Sequence, residues 1–222
     1  MRFTKMADRD LADMIEGIKG IRRLELERCT ITDKGLVFVS KLTELRELDL
    51  DHTKITDAGL VHLSPLVNLR ILDLAVDTIT DEGLAHLKPL RNLEALAVQG
   101  SKVSRIGLAH LKGCKKLRAL YLTETLIGDD DLPAVGEFKE LQKLWLGGTR
   151  ISDRGLVHLK KLQLVHLTVF RTNITDAGLA QLKSLSQLRA LNLADTKITD
   201  KGLEQLERFT FWCAGNRNGR TS

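Results

Sequence analysis

A hexapeptide that returns at a fixed interval constrains this chain more than any other feature. The letters "ITDKGL" occupy residues 31–36 and return at 198–203, and six variants of them lie in between. Successive copies start 24 residues apart, except for one interval of 23. A fixed period of this length indicates a repeat array, in which each unit packs against its neighbours and chain length sets the number of units.

Each unit predicts a short strand, a turn and a helix. Leucine pairs such as Leu48 and Leu50 alternate with polar residues, which is the period of a strand with one face buried. The Thr-Asp pair that follows is a helix-start signal. After it, "GLxxLxxLxxL" repeats its apolar positions every three residues, as a helical or 3₁₀ stripe does. Stacked units would form a parallel sheet on one side and helices on the other.

The segment "LRELDLDHTKI", residues 45–55, fits the pattern L-x-x-L-x-L-x-x-N/C-x-L, with Thr53 in the Asn/Cys position. The chain therefore resembles the leucine-rich repeat superfamily. Its "xITDxGLxxL" variety is common in bacterial repeat proteins and in the cysteine-containing repeats of F-box-type ubiquitin ligase receptors. The resemblance implies an α/β solenoid of eight repeats plus an N-terminal half repeat. Such a solenoid is a horseshoe with a parallel concave sheet and convex helices.

Three parts are expected along the chain. Residues 1–20 would be a degenerate half repeat acting as an N-terminal cap, with "MADRDL" at 6–11 as its partial copy of the pattern. Residues 21–209 would be the leucine-rich repeat domain, and 210–222 a non-repeat tail. The apolar side of the eighth unit would otherwise face water, and two outcomes are open: Phe209, Phe211 and Trp212 fold back over it, or that edge stays open for another copy or a missing domain. Fold-back through Trp212 is favoured, with residues 214–222 disordered.

The resemblance also implies an internal ladder of polar side chains that bonds backbone groups between neighbouring turns. The ladder positions are Cys29, Thr53, Asp77, Ser101, Thr125, Thr149, Thr172 and Thr196. Asp77 departs from the pattern because an ionised carboxylate only accepts hydrogen bonds, and Thr78 is expected to take over its bonding. This column is interpreted as structural.

Composition limits the partners and the compartment. A formal charge of +5 is modest for 222 residues, so no nucleic acid is expected as a partner. No apolar run approaches the roughly 18 residues of a membrane span, and the first residues lack a secretory h-region. Three scattered cysteines favour a reducing compartment, so a cytoplasmic location is predicted. Oligomeric state stays open.

An enzyme is not expected, and neither is a cofactor or a metal site. Cys29 and Cys114 fall at inward positions and are predicted to be buried and inert. Four histidines form a column along successive helices, and repeat duplication explains them better than metal binding. They are His62, His86, His110 and His158. His52 and His166 lie on the strand side, four to five units apart, too far for them to act together.

The outward positions of the strands are the candidate binding surface, because they vary while the frame is fixed. Acids fall in the first three units and aromatics in units five to seven. The candidate partner-binding residues are Glu25, Glu27, Asp49, Asp51, Asp73, Tyr121, Trp145 and Phe170. Tyr121 and Trp145 are predicted to be neighbours with Phe170 diagonal to Trp145, and Gly147 and Gly148 are expected to leave Trp145 prominent.

An alternative interpretation of the acids is a solvated face balanced by ion pairs with a parallel arginine column. That column consists of Arg22, Arg46, Arg70 and Arg118. Exposed pairs of this kind are common and weak. The aromatic cluster is harder to explain without a partner, because Trp and Tyr often dominate binding energy at interfaces.

The favoured function is a non-catalytic scaffold that binds a protein or peptide on the concave sheet. Its partner would carry an apolar or aromatic anchor and a basic portion. One alternative is the substrate-receptor module of a ubiquitin ligase. Another is nucleic-acid binding through convex lysines such as Lys112, Lys115 and Lys116, which would weaken steeply with salt.

Removing residues 209–222 should expose the last unit. We expect the truncated protein to associate or to lose its eighth unit, because an uncapped repeat presents apolar surface to water. Hydrogen exchange at Leu191 to Leu193 measures the effect, with the central strand Leu144 to Leu146 as the internal control. Equal protection of the eighth strand in a monomeric truncated protein would contradict the capping role.

Overall fold

The computed structural model describes residues 1, 3, 5–16, 18, 20–75, 78–204 and 212–213. Over these residues the units stack into one open parallel sheet, and the predicted solenoid is confirmed. The strands follow one another in chain order across the sheet. They are β1 Arg23–Glu25, β2 Glu47–Asp49, β3 Ile71–Asp73, β4 Ala95–Ala97, β5 Ala119–Tyr121, β6 Lys143–Trp145, β7 His166–Thr168, β8 Ala190–Asn192 and β9 Trp212–Cys213.

Short helices return the chain from each strand to the next and form the convex face. They are α1 Asp8–Glu16, α2 Asp33–Val39, α3 Asp57–Leu60, α4 Asp81–Ala85, α5 Arg105–His110, α6 Leu132–Val135, α7 Asp153–Leu156, α8 Asp176–Leu182 and α9 Asp200–Leu203. Turns of 3₁₀ helix adjoin several of them, at Val61–Leu63, Leu111–Gly113, Asp129–Asp131 and Val157–Leu159.

Leucines of the strands and helices fill the space between the two faces. Leu48 and Leu50 point inward from the second unit, and Leu60 and Leu63 meet them from its helical segment. All four are at most 1% exposed. The period-two and period-three patterns therefore converge on one continuous core, and they leave the alternate strand residues on the concave face.

The recurring hexapeptide is explained by a carboxylate that links each unit to the next. Asp33, at the helix start of the first unit, accepts two hydrogen bonds from Thr56 of the second unit. They come from the Thr56 backbone N–H at 2.8 Å and from its hydroxyl at 2.7 Å. We call this paired bond the interlock. The same two bonds join Asp8 to Thr32, Asp57 to Thr80, Asp81 to Ser104, Asp129 to Ser152, Asp153 to Thr175 and Asp176 to Thr199.

The glycine of the hexapeptide gives the interlock its space. A Cβ at Gly59 would overlap the carboxylate of Asp33, and one at Gly83 would overlap that of Asp57. Gly107 also donates its backbone N–H to Asp81 Oδ1 at 2.8 Å. The glycine is therefore required for the close approach of the preceding carboxylate.

The joint between the fourth and fifth units reverses this arrangement. Arg105 stands where the other units carry aspartate, Gly128 replaces the threonine, and Asp131 replaces the glycine. Asp131 accepts from the Gly128 N–H and reaches back to the Arg105 N–H, both at 2.8 Å. Because Arg105 places no short carboxylate at this joint, residue 131 has room for a side chain. The three altered residues therefore depend on one another and form one coupled change in sequence.

The polar ladder differs from the expectation that the resemblance raised. The hydroxyls of Thr125 and Thr149 donate to carbonyls of their own units, at Leu122 and Leu146, both at 2.6 Å. They brace the turn after each strand and do not bond between units. Bonds between neighbouring units occur at two places where the threonine of the ladder is replaced. In the first unit, Cys29 Sγ donates to the Phe3 carbonyl at 3.5 Å. In the third, the Thr78 hydroxyl donates to the Ile55 carbonyl at 2.5 Å. The expectation for Thr78 agrees with this bond, while Asp77 lies outside the described residues.

The backbone of Trp212–Cys213 continues the strand array instead of lying apart from it. Leu191 pairs with Trp212 and Asn192 with Cys213 in the parallel register of the other strands. The described part of the tail thus adds a ninth strand beside β8. Whether the Trp212 side chain covers the eighth unit concerns atoms outside the described residues, and that role stays a prediction, as does the disorder of 214–222.

The reversed joint predicts a compensating set of substitutions. Asp131→Gly alone should lower the free energy of unfolding by about 1–3 kcal/mol, because it leaves the partly buried Gly128 N–H and the exposed Arg105 N–H without their acceptor. Arg105→Asp alone should also destabilise the protein, since its carboxylate would crowd Asp131. The triple variant Arg105→Asp/Gly128→Thr/Asp131→Gly rebuilds an ordinary interlock and should recover most of the loss.

Urea unfolding of the single and triple variants measures this coupling. Asp33→Ala, which removes an ordinary interlock, provides the reference cost. We expect a favourable interaction free energy of at least about 1 kcal/mol among the three positions. If the change in the free energy of unfolding of the triple variant equals the sum of the changes in the single variants, the three positions are not coupled.

Candidate binding surface

The strand register brings five of the eight predicted site residues into one row across the concave face. Each strand contributes one outward side chain to this central row, because neighbouring strands are paired in register and their flanking leucines point inward. The row runs Glu25, Asp49, Asp73, Ala97, Tyr121, Trp145, Thr168 and Asn192. Acids therefore occupy one end, and two aromatic rings lie beyond a single alanine.

The two aromatic rings form a planar stack. Tyr121 and Trp145 have ring centroids 3.9 Å apart and planes inclined by 11°. Both side chains are only partly buried, so the stack lies at the surface. The predicted neighbourhood of these two residues is therefore found in the structure.

His166 extends the stack, and sequence reasoning missed it. Its ring centroid lies 4.7 Å from that of Trp145, with the planes inclined by 31°. Burial, with the nearby charge of Lys143 as a smaller cause, lowers the pKa of His166 and favours the neutral ring. The alternation of side chains along a strand could have identified it. His166 lies two residues before Thr168 in β7, so both side chains point outward, and His166 lies beside the central row.

Phe170 does not join the stack and instead covers Gly147. A Cβ at Gly147 would overlap the Phe170 ring, and Gly147 itself is buried. The expectation that the two glycines leave Trp145 prominent was therefore wrong. Gly147 makes room for Phe170, and Gly148 adopts a positive φ of 68° in the turn. Phe170 remains partly exposed at the edge of the aromatic region.

The five acids gather at the other end of the concave face. Each of Glu25, Glu27, Asp49, Asp51 and Asp73 is partly buried. Together with Arg23, Glu47 and Ile71, the central-row acids line a shallow hollow of about 330 Å³. The acids form a continuous surface whose carboxylates influence one another.

Crowding and burial raise the pKa of two of these carboxyl groups. Burial is the largest cause for Asp73, and with the negative charges of Asp49, Asp51 and Glu27 it raises the pKa of Asp73 to about 6. Burial also raises the pKa of Asp49, and the charge of Asp51 adds to the effect. The Asp73 charge reaches past Ala97, because it contributes after burial to the raised pKa of Tyr121. The acidic and aromatic regions are therefore electrostatically connected.

Two carboxylates of the acidic cluster also stabilise the turns that follow their strands. Asp49 Oδ1 accepts the Asp51 N–H and Asp73 Oδ1 accepts the Ala75 N–H, both at 3.0 Å. Asn192 makes the same bond to Ala194 at 3.0 Å. An amide therefore serves this turn as well as a carboxylate does, and the turn does not require the negative charge.

The arginine column does not balance the acids as the alternative interpretation expected. Within the part of the chain that the structure describes, Arg70 contacts Glu94 at 3.7 Å, and Arg22, Arg46 and Arg118 form no ion pair with the cluster. Arg23 was overlooked. It contacts Glu25 at 2.7 Å and Glu47 at 3.2 Å.

The other candidate groups lie away from this surface. Cys29 and Cys114 are buried free thiols, and burial raises the pKa of Cys114 to about 11, which disfavours a thiolate. His62, His110 and His158 lie on helical segments of the convex face, and His86 directly follows α4. Among the described residues, no group of three or more His, Cys, Asp or Glu side chains is placed to hold a metal ion.

Comparison with known proteins agrees with the architecture. A family model described as a leucine-rich repeat matches residues 21–40, 41–64 and 185–206. The chain has the fold of leucine-rich repeat proteins, and these three segments match that family. No curated protein matches its sequence significantly. No helix within the described ranges has the length and apolar character to cross a membrane.

Solved leucine-rich repeat structures share the fold at low sequence identity. An internalin (inlF) from Listeria monocytogenes has a TM-score of 0.73 and 24% identity, covering 94% of this chain and 57% of its own. An internalin C2 (inlC2) from the same organism has a TM-score of 0.68 and 23% identity, covering 94% of this chain and 84% of its own. The PEPR1–AtPEP1 structure has a TM-score of 0.63 and 17% identity. The match covers 96% of this chain and 31% of the PEPR1–AtPEP1 chain. This chain thus spans little more than half the length of the first internalin.

The raised pKa of Asp73 predicts a pH-dependent cost to stability. Its folded-state pKa of about 6 lies above the ordinary value of 3.8, so its contribution to stability is fully present below about pH 4 and is lost as the pH rises through 6. Asp73→Asn keeps an acceptor for the Ala75 N–H and removes the charge. This variant should gain stability over the wild type progressively between those pH values.

Urea unfolding at several pH values checks this difference. Asp13→Asn, at an exposed position of α1, is the matched control and should show no comparable trend. A constant difference between Asp73→Asn and the wild type from acid to neutral pH would show that folding does not disfavour the ionised Asp73 carboxylate.

Proposed function

We propose that this protein is a non-catalytic scaffold that binds a protein or peptide on its concave face. The observation that carries the proposal is the partly exposed stack of Tyr121 and Trp145 in the middle of the sheet face. Large aromatic side chains stabilise a protein most when water is excluded from them, and at interfaces they often supply much of the binding energy. A partner that covers the stack would complete that burial.

The acids define the second requirement of the proposed partner. Glu25, Glu27, Asp49, Asp51 and Asp73 favour a basic portion, and they lie across Ala97 from the aromatic anchor site. A positive group placed there would offset the burial and the mutual repulsion that together raise the pKa of Asp73. The partner is therefore expected to carry an apolar or aromatic residue beside basic ones, with Phe170 contacting its far end.

The fold supports binding as the class of function. Leucine-rich repeat proteins commonly mediate protein binding, and one structural neighbour is a receptor–peptide complex. No observation among the described residues favours the ubiquitin ligase or nucleic-acid alternatives. We propose a cytoplasmic location, which the three scattered cysteines and the two buried free thiols support.

Trp145→Ala should weaken partner binding by more than about 2 kcal/mol, roughly thirtyfold in Kd, because it removes the centre of the stack. Its free energy of unfolding should fall by no more than about 1.5 kcal/mol, the scale of a surface aromatic pair. Partners captured from native lysate by the full chain would be identified and their affinities measured by calorimetry.

Two further variants test the site by parts. Asp49→Asn removes a charge while keeping the turn acceptor, and it should weaken binding of a basic partner. Val61→Ala, at an exposed position on the convex side, should leave binding unchanged. Unchanged affinity in Trp145→Ala, or a melting temperature that collapses in this variant, would contradict the assignment of the concave stack as the binding site.

A further inference from the structure

Several residues at which the fourth and fifth units differ from the other repeats line one hollow of the convex face. It has a volume of about 670 Å³ and lies between α5 and α6. Arg105, Ile106 and Asp130, which belong to the altered hexapeptides, line it. The same joint carries the reversed interlock, so this part of the convex face differs both in its bonding and in its surface.

The hollow has an apolar floor because two repeated positions have changed. At the position where Val61 and Val157 stand in other units, the fifth unit has Pro133. At the position of the histidine column it has Ala134, whose small side chain leaves open the space that an imidazole would fill. Pro133, Ala134 and Ala109 therefore form a floor of small apolar side chains.

Ile106 stands at the edge of this floor in a position that other units fill differently. Its residue is 61% exposed, the highest value among the large hydrophobic residues that the structure describes. The equivalent residues elsewhere are Lys34, Ala58, Glu82, Asp130, Arg154, Ala177 and Lys201. A large apolar side chain in this column costs solubility without adding to the core, which points to a contact with another molecule.

The apolar surface continues past α6. A second hollow of about 420 Å³ lies between α6 and the 3₁₀ turn Val157–Leu159 that follows α7, and Pro133 and Glu137 line both hollows. Val157, which is 45% exposed, lies in this second hollow. An occupant can therefore place one apolar group beside Ile106 and another beside Val157, on either side of the low ridge that α6 forms.

The charged side chains that line the two hollows indicate which kind of partner can bind there. The two hollows together are lined by five basic side chains and two acidic ones, namely Arg105, Lys112, Lys139, Lys160, Lys161, Asp130 and Glu137. The two acids already have basic neighbours: Asp130 contacts Arg154 at 2.8 Å, and Glu137 contacts Lys139 at 4.0 Å. Arg105, Lys112, Lys160 and Lys161 form no ion pair with any part of the chain that the structure describes. The charge left for a partner is positive.

We propose that this convex groove is a second docking site, which takes an acidic segment of a partner protein that carries apolar side chains. Its apolar groups would cover Ile106 and the floor between α5 and α6, and its carboxylates would pair with Arg105 and Lys112. The groove is independent of the concave surface and has the opposite charge. The protein would then hold two partners at once, a basic one on the sheet and an acidic one on the helices.

The apolar floor favours a protein over a nucleic acid. Phosphates would be attracted to the lysines but would gain nothing from Ile106, Pro133 or Ala134. Of the lysines that suggested nucleic-acid binding, only Lys112 lines the groove, and Lys116 instead donates to Asn92 Oδ1 at 2.8 Å. Binding that depends on both Ile106 and Lys112 therefore distinguishes the proposed occupant.

The test uses the full chain and a fluorescein-labelled amphipathic peptide with leucines at helical spacing and glutamates elsewhere. Comparison probes are the same peptide with lysine in place of glutamate and an oligo-dT strand of equal length. Ile106→Lys should weaken binding of the acidic peptide by about tenfold or more, although it adds a positive charge. Lys112→Gln should weaken it severalfold. Lys34 and Lys201 occupy the same column, so lysine at 106 is compatible with the fold; Ile106→Ala provides a second variant.

Val61→Lys is the matched control, because Val61 is exposed on the convex face outside both hollows. It should bind the acidic peptide as the wild type does, and so should Trp145→Ala, which separates this site from the concave one. The proposal is overturned if the acidic peptide does not bind, if Ile106→Lys binds it equally well, or if the lysine peptide binds as tightly. Tight oligo-dT binding that falls steeply with salt and is strengthened by Ile106→Lys would instead identify a nucleic-acid surface.

Discussion

The architecture depends on a carboxylate that joins neighbouring units, which the earlier unit supplies everywhere except at the joint between the fourth and fifth units. Packed leucines hold the units together but are alike in every unit, so they specify no spacing by themselves. The interlock does, because an aspartate such as Asp33 must meet both the N–H and the hydroxyl of Thr56. It also satisfies a helix-start amide that would otherwise lack a partner in a partly buried position.

The interlock explains which departures the repeat tolerates. A glycine such as Gly59 is required only while the preceding unit places a carboxylate against it. Once Arg105 replaces that carboxylate, Asp131 fits in the glycine position and supplies acceptors from the opposite direction. The change leaves the sheet register intact, since Leu96 still pairs with Leu120. It alters only the convex surface at this joint.

The two faces of the solenoid present different chemistry. On the concave face, Asp73 and the Tyr121–Trp145 stack lie on one row, separated by the single strand that carries Ala97. On the convex face, Ile106 lies among basic side chains. A repeat frame permits this separation, because strand positions and helix positions vary independently while the inward leucines stay fixed. The proposed scaffold uses both faces.

The sequence by itself determined the unit boundaries, the inward leucines and the row to which each outward residue belongs. A fixed period and a parallel register leave little freedom, so the neighbourhood of Tyr121 and Trp145 followed directly. Contacts set by side-chain direction were decided only by the tertiary structure: His166 extends the stack, Phe170 turns onto Gly147, and Thr149 bonds within its own unit. Period fixes where a Cα lies, whereas rotamers, the space left by neighbours and competing acceptors decide what its side chain touches.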